Sequence, residues 1–158
     1  TVASQPEVGT TFTFTIPLRT NHSAQSFPAE EENENQVLLE GDILLIDPNE
    51  ISQNHLTRII TRQGPLVESA LSLKVANRLL STRVYQIVFI SVSENHDEIS
   101  DSLNGFLEQI PQSTKVYLMA TTSDLNLAEK VKNRIEDILV IPIQKKKMIK
   151  LLEKNLLS

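Results

Sequence analysis

The sequence predicts an α/β domain with a five-stranded parallel sheet doubly wound by helices. Three observations carry that reading. Five short apolar runs, at 43–46, 66–67, 87–90, 116–119 and 138–141, alternate with stretches of helical periodicity. The stronger runs are unbroken, as in strands buried on both faces. The chain has 158 residues, 40% of them hydrophobic, enough for a self-sufficient core.

The first residue is Thr1, and no charged-then-apolar leader follows, so the sequence reads as a piece of a longer chain. Residues Thr10 to Leu18 alternate Phe12, Phe14 and Ile16 with threonines, the pattern of a single half-buried strand detached from the sheet. The next segment is almost devoid of apolar residues and carries Glu30, Glu31, Glu32 and Glu34. It reads as an acidic flexible linker over 19–40, because it buries too little to offset the entropy of ordering.

The α/β texture begins at Gly41. Ile43 to Ile46 is the first buried strand, and residues 50–63 form a helix with Ile51, Leu56, Ile59 and Ile60 inward, stopped by Gly64-Pro65. Leu66-Val67 is a short second strand. A helix over 70–81 turns Leu71, Val75, Leu79 and Leu80 inward. Ile87 to Ile90 is the third strand; Ile99, Leu103, Phe106, Leu107 and Ile110 then mark a helix over 97–110. Val116 to Met119 is a strand before a helix around 124–134. Ile138 to Ile141 is the last strand, and 144–157 the closing helix.

Composition excludes much chemistry. There is no cysteine, so no disulfide, thiolate metal site or cysteine nucleophile, in keeping with a reducing compartment. No apolar run reaches the roughly 18 residues of a membrane span. Fifteen Lys and Arg against 20 Asp and Glu give a net charge of −5, which argues against nucleic acid as a partner. Four scattered glycines, at 9, 41, 64 and 105, build no phosphate-cradling loop. His22, His55 and His96 have no zinc spacing, and no cofactor is expected.

In such a sheet the functional crevice lies at the carboxyl ends of the strands. The first end reads Ile46-Asp47-Pro48-Asn49-Glu50-Ile51 and the third Tyr85-Gln86-Ile87-Val88-Phe89-Ile90-Ser91. These segments and their spacing resemble the receiver domain of two-component signalling. The resemblance covers about residues 42–157 and implies the flavodoxin-like strand order 2-1-3-4-5. It also implies a phosphoacceptor pocket, here degenerate. The first acid of the family pair is Asp47, but Pro48 replaces the second. Ser91 stands where the family has its phosphoacceptor aspartate. Ile141, before Pro142, stands at the family's lysine, while Thr121 matches its switch hydroxyl.

The N-terminal piece, Gly9-Thr10-Thr11-Phe12 through Ile16-Pro17-Leu18, resembles the last strand of a histidine-kinase ATP-binding domain. The resemblances divide the chain into a kinase remnant (1–18), a linker (19–40) and a receiver-like domain (41–158). That order implies a hybrid sensor histidine kinase, cytoplasmic in this part, whose parent is free to carry its own membrane anchor. The expected function is a non-phosphorylatable regulatory module that docks on proteins: kinase domains of its own chain, a dimer mate or a downstream receiver. Its contact face would run from Asp124 to Leu157 and include Lys145, Lys146, Lys147 and Lys150.

Plainer readings stand beside these. Asp47 reads first as a helix N-cap, with Pro48 at the first helical position and Glu50 closing a capping box, ahead of a vestigial metal ligand. Ser91 is a small polar residue at a strand end, and His96-Asp97-Glu98 a solvated helix start. The lysines are a solvated face. Two rival functions remain: a receiver phosphorylated on Ser91 or Asp47, and a small flavodoxin-like ligand binder. The second lacks a hydroxyl- and glycine-rich loop after the first strand.

Overall fold

A computed structural model describes residues 1–5, 9–15, 38–92, 96–125 and 131–157, without the side chains of Ser4, residues 96–101 and Lys132. The chain divides into two compact units, Thr1–Glu34 and Asn35–Ser158.

In the first unit the single strand expected over 10–18 is instead half of a hairpin. β1 (Val2–Gln5) pairs antiparallel with β2 (Gly9–Phe12), in a register that sets Val2 opposite Phe12. Thr1 and Thr13 extend the ladder by exchanging backbone bonds of 2.6 and 2.8 Å. Every described side chain here is exposed, so the alternation marks an uncovered ribbon, not a half-buried strand. Residues 16–18 and the linker to residue 37 lie outside the described residues.

The second unit holds a five-stranded parallel sheet. Its strands are β3 (Asp42–Ile46), β4 (Leu66–Ala70), β5 (Ile87–Ser91), β6 (Lys115–Ala120) and β7 (Asp137–Val140), in the order β4-β3-β5-β6-β7. This is the 2-1-3-4-5 order expected. Successive side chains of a strand face opposite sides, and both sides are covered. Leu44, Ile46, Val88, Ile90 and Leu118 pack with Ala76, Leu103, Phe106 and Leu107. Ile43, Leu45, Ile87, Phe89 and Met119 pack with Leu56, Ile59, Ile60, Met148 and Leu152. Two covered faces are why the strands read as unbroken apolar runs.

The helices are α1 (Glu50–Thr61), α2 (Leu73–Leu80), α3 (His96–Gln109) and α4 (Lys145–Leu156). Four details depart from the sequence expectation. Ile51 is 83% exposed, because at about 100° per residue it lies off the stripe of Gln53, Leu56, Ile59 and Ile60. Residues 68–70 extend β4, so α2 starts later, at a Ser72 cap whose hydroxyl accepts from Val75 N–H. Leu71 and Val75 are then 43% and 40% exposed, and Ala76 is the buried residue of α2. Ile141 lies one residue past β7. Of the helix expected around 124–134, the described residues show one-turn 3₁₀ segments at Thr122–Asp124 and Lys132–Arg134.

Candidate functional site

The parallel strands all end on one edge, and the five residues singled out for the pocket lie along it. Asp47 and Pro48 follow β3, Ser91 ends β5, Thr121 follows β6, and Ile141 follows β7. Across β4, β3, β5, β6 and β7, strand spacing of about 4.8 Å sets these ends side by side.

At the end of β3, Asp47 is 2% exposed. Its N–H donates to the Ala70 carbonyl at 3.0 Å, carrying the β3–β4 ladder one step further. Its Oδ1 accepts the N–H of Asn49 at 2.9 Å, closing a tight turn over Pro48. Asp47 is therefore not the helix cap. Asn49 is: its Oδ1 accepts from Ile51 and Ser52 N–H at 3.0 and 3.1 Å, and Glu50 opens α1. The turn over Pro48 delays the helix to Asn49, whose backbone is extended, so the cap falls two residues later than the capping-box reading placed it. Asn directly before an acidic first turn was a readable signal for that cap.

Gln53 is the residue that sequence patterning overlooked. It is buried, and its Nε2 donates to the carbonyls of Asp47 at 3.2 Å and Ala70 at 3.0 Å. One amide thus ties the first turn of α1 to the ends of β3 and β4.

Ser91 is half-buried beside Met119 of β6, and Val92 N–H donates to the Met119 carbonyl at 2.8 Å. Thr121 donates its hydroxyl to the Asp124 carboxylate and lies 2.7 Å from the Ser123 hydroxyl. Asp124 is buried, 1% exposed. Ile141 N–H donates to the Ala120 carbonyl at 2.9 Å, and the Ile141–Pro142 peptide is cis. The Ile141 side chain packs with Ile143 against the core face that α1 and α4 cover.

The edge offers one carboxylate at β3, a neutral hydroxyl at β5 and an apolar side chain after β7. Mg²⁺ prefers carboxylates and keeps several waters. Asp47 with Pro48 and Ser91 fits it poorly. Among the described residues, no three His, Asp or Glu side chains converge on a metal-sized site. Lys145, Lys146, Lys147 and Lys150 are exposed on α4, which begins four residues after Ile141.

No protein-family model matches the chain, and no curated protein is similar to it in sequence. Solved structures do match in fold. The signal receiver domain of an HD domain-containing protein from Pseudomonas fluorescens Pf-5 shares 24% identity over 74% of this chain and 94% of its own, with a TM-score of 0.65. A CheY-like receiver domain from Methylobacillus flagellatus shares 16% identity over 72% and 96%, at 0.61. An adenylate cyclase from Rhodopirellula baltica shares 16% over 75% and 88%, at 0.64. The chain therefore has the receiver fold. No helix among the described residues is long and apolar enough to cross a membrane.

Proposed function

We propose that residues 41–158 are a receiver-like regulatory module of two-component signalling that docks on other proteins and takes up no phosphoryl group. One observation carries this reading. The three positions where a receiver would hold its second acid, its phosphoacceptor and its lysine hold Pro48, Ser91 and Ile141.

Each replacement removes a distinct chemical element. An acyl phosphate forms only on a carboxylate oxygen, and Ser91 offers a hydroxyl, a weak nucleophile until a base takes its proton. Without the second acid, the end of β3 offers a cation Asp47 and no neighbouring carboxylate at position 48, and one Asp47 oxygen is already engaged by Asn49 N–H. Without the lysine, the position after β7 holds no cation to neutralise charge developing on the phosphoryl oxygens. Ile141 packs against the core instead. With all three gone, the fold retains recognition by shape and charge.

The hybrid sensor histidine kinase supplies the context of this reading. Residues 1–18 are then the end of an ATP-binding kinase domain, joined through the acidic segment to the module. The Gly9-Thr10-Thr11-Phe12 motif and the exposed Phe12 and Phe14 of an uncovered ribbon support it. An isolated two-stranded ribbon is marginal in water. Its amides should exchange rapidly here and become protected when a kinase catalytic domain is fused upstream. Continued rapid exchange in that fusion would remove the kinase assignment.

The decisive experiment for the module is incubation with acetyl phosphate and Mg²⁺, followed by intact mass and amide spectra. The mass stays unchanged, and the amides of Asp47 and Val92 do not move. A phosphate adduct on Ser91 or Asp47, or Mg²⁺-dependent shifts at those amides, would overturn the reading.

A further inference from the structure

The outer face of α4 is built almost entirely of lysine. At about 100° per residue, Lys146, Lys147, Lys150 and Lys154 fall within about 100° of arc, opposite buried Met148 and Leu152. All four are exposed. The stripe is about 12 Å long, from the rise of 1.5 Å per residue. Among the described residues none of the four has a carboxylate within 4.0 Å.

This face works against its own helix. Lys146 and Lys150, and Lys150 and Lys154, are like-charge neighbours at i,i+4, which destabilise a helix instead of bracing it. Lys146 and Lys147 occupy the first turn, where the helix dipole disfavours cations. Glu153 is the lone acid of α4. A merely solvated helix gains nothing from this pattern. A complementary acidic surface would relieve all of it.

We infer that the Lys146, Lys147, Lys150 and Lys154 face of α4 docks an acidic segment of a partner protein; the inference rests on the docking role proposed above. Charge selects the occupant. The chain carries −5 overall, so without these four lysines the remainder stands at −9. An extended anionic lipid surface would be repelled by that remainder, whereas a narrow acidic helix or strand meets the stripe alone. The face also lacks the aromatic side chains that membrane-surface helices insert.

The test uses the full 158-residue chain. The probe is a fluorescein-labelled helical peptide with four glutamates on one face. The peptide binds, shifts α4 amides, and weakens at least about tenfold when KCl rises from about 50 to about 300 mM. Binding is lost in K146E/K147E/K150E/K154E and kept in the corresponding four-arginine variant. Circular dichroism checks that the charge-reversed variant folds, and the four-arginine variant, which keeps every charge, holds the test whatever that result. Reversing Arg58, Lys74 and Arg78 on other helices leaves binding unchanged. An equal loss there would reduce the effect to net charge and overturn the proposal. So would absence of peptide binding at low salt, shifts mapping elsewhere, or binding to phosphatidylserine vesicles without binding to the peptide. The acetyl phosphate experiment decides the silent-pocket reading separately: a phosphate adduct in a protein that still binds the peptide removes that reading and leaves this one.

Discussion

Gln53 holds Asp47 by its backbone: its side-chain amide donates to the Asp47 carbonyl oxygen at 3.2 Å and, through the same nitrogen, to the Ala70 carbonyl at 3.0 Å. The edge of the sheet at β3 and β4 is thus organised by an uncharged side chain from α1. Replacing Gln53 with Leu takes the side-chain donor from the Asp47 carbonyl, while the Ala70 carbonyl keeps Asp47 N–H, at a cost of about 1–3 kcal/mol. Urea unfolding should show a lowered midpoint with an unchanged slope. A midpoint equal to the parent's would mean these bonds contribute nothing net.

Asp47 itself acts through a turn. Its Oδ1 is the acceptor for Asn49 N–H. Asp47→Asn keeps an oxygen there and should change stability by less than about 0.5 kcal/mol, whereas Asp47→Ala removes the acceptor and costs about 1–2 kcal/mol. If Asp47 were instead a charged cation ligand, Asn and Ala would be equivalent in a Mg²⁺ titration and both would abolish a response present in the parent. Chemical denaturation and titration of the three proteins separate the two roles.

Gly64 ends the α1–β4 turn with φ of +115°, and a Cβ there would come within 2.3 Å of the Leu39 carbonyl oxygen. That segment is already pinned, Leu39 N–H donating to the Gln63 carbonyl at 2.7 Å. Gly64→Ala therefore meets both a disfavoured backbone region and a rigid neighbour, and should cost about 1–3 kcal/mol. Gly41→Ala makes a useful contrast, since its Cβ would press at 2.8 Å on the ends of Gln86 and Leu156, side chains that can move. The Gly64 variant should melt below the Gly41 variant; the reverse order would refute the argument.

Tyr85 makes the domain sensitive to alkali. Burial pushes its hydroxyl well above the ordinary tyrosine value, and the hydrogen bond it donates to the Glu68 carboxylate pushes it further. Tyr117 is raised as well, first by burial. A raised value means that the folded state favours the neutral phenol. This stabilisation is complete below the unfolded value of about 10 and drains away as pH rises above it. Stability measured from pH 8 to 12, a range spanning about 10, should fall through the upper half. Tyr85→Phe should flatten that fall. An equally steep decline in the Phe variant would assign it to other groups.

Much of the fold was legible in the residues themselves. Unbroken runs such as Ile87-Val88-Phe89-Ile90 announced strands covered on both faces, and both faces are covered. Leu103, Phe106, Leu107 and Ile110 announced α3 by their spacing, and all four are buried. Periodicity failed where one apolar residue was assigned to a face by type instead of by angle, as with Ile51 and Val75. It also failed for β1, whose Val2-Ala3-Ser4-Gln5 has no strand signature until it pairs with β2.

The candidate pocket shows the same division. Which chemical groups stand at the strand ends was determined by the sequence: Pro48, Ser91 and Ile141 carry no carboxylate and no cation in any conformation. What those positions do was decided only by tertiary structure. The Gln53 bridge between β3 and β4 and the packing of Ile141 against the core join residues distant in sequence, and even the local Asp47–Asn49 turn is buried only by the folded sheet. Side-chain type is a local property, written one residue at a time. Burial and hydrogen-bond partnership are properties of pairs, and here the chain brings Gln53 to Ala70 and Ile141 to the α1 and α4 face only once the sheet has closed.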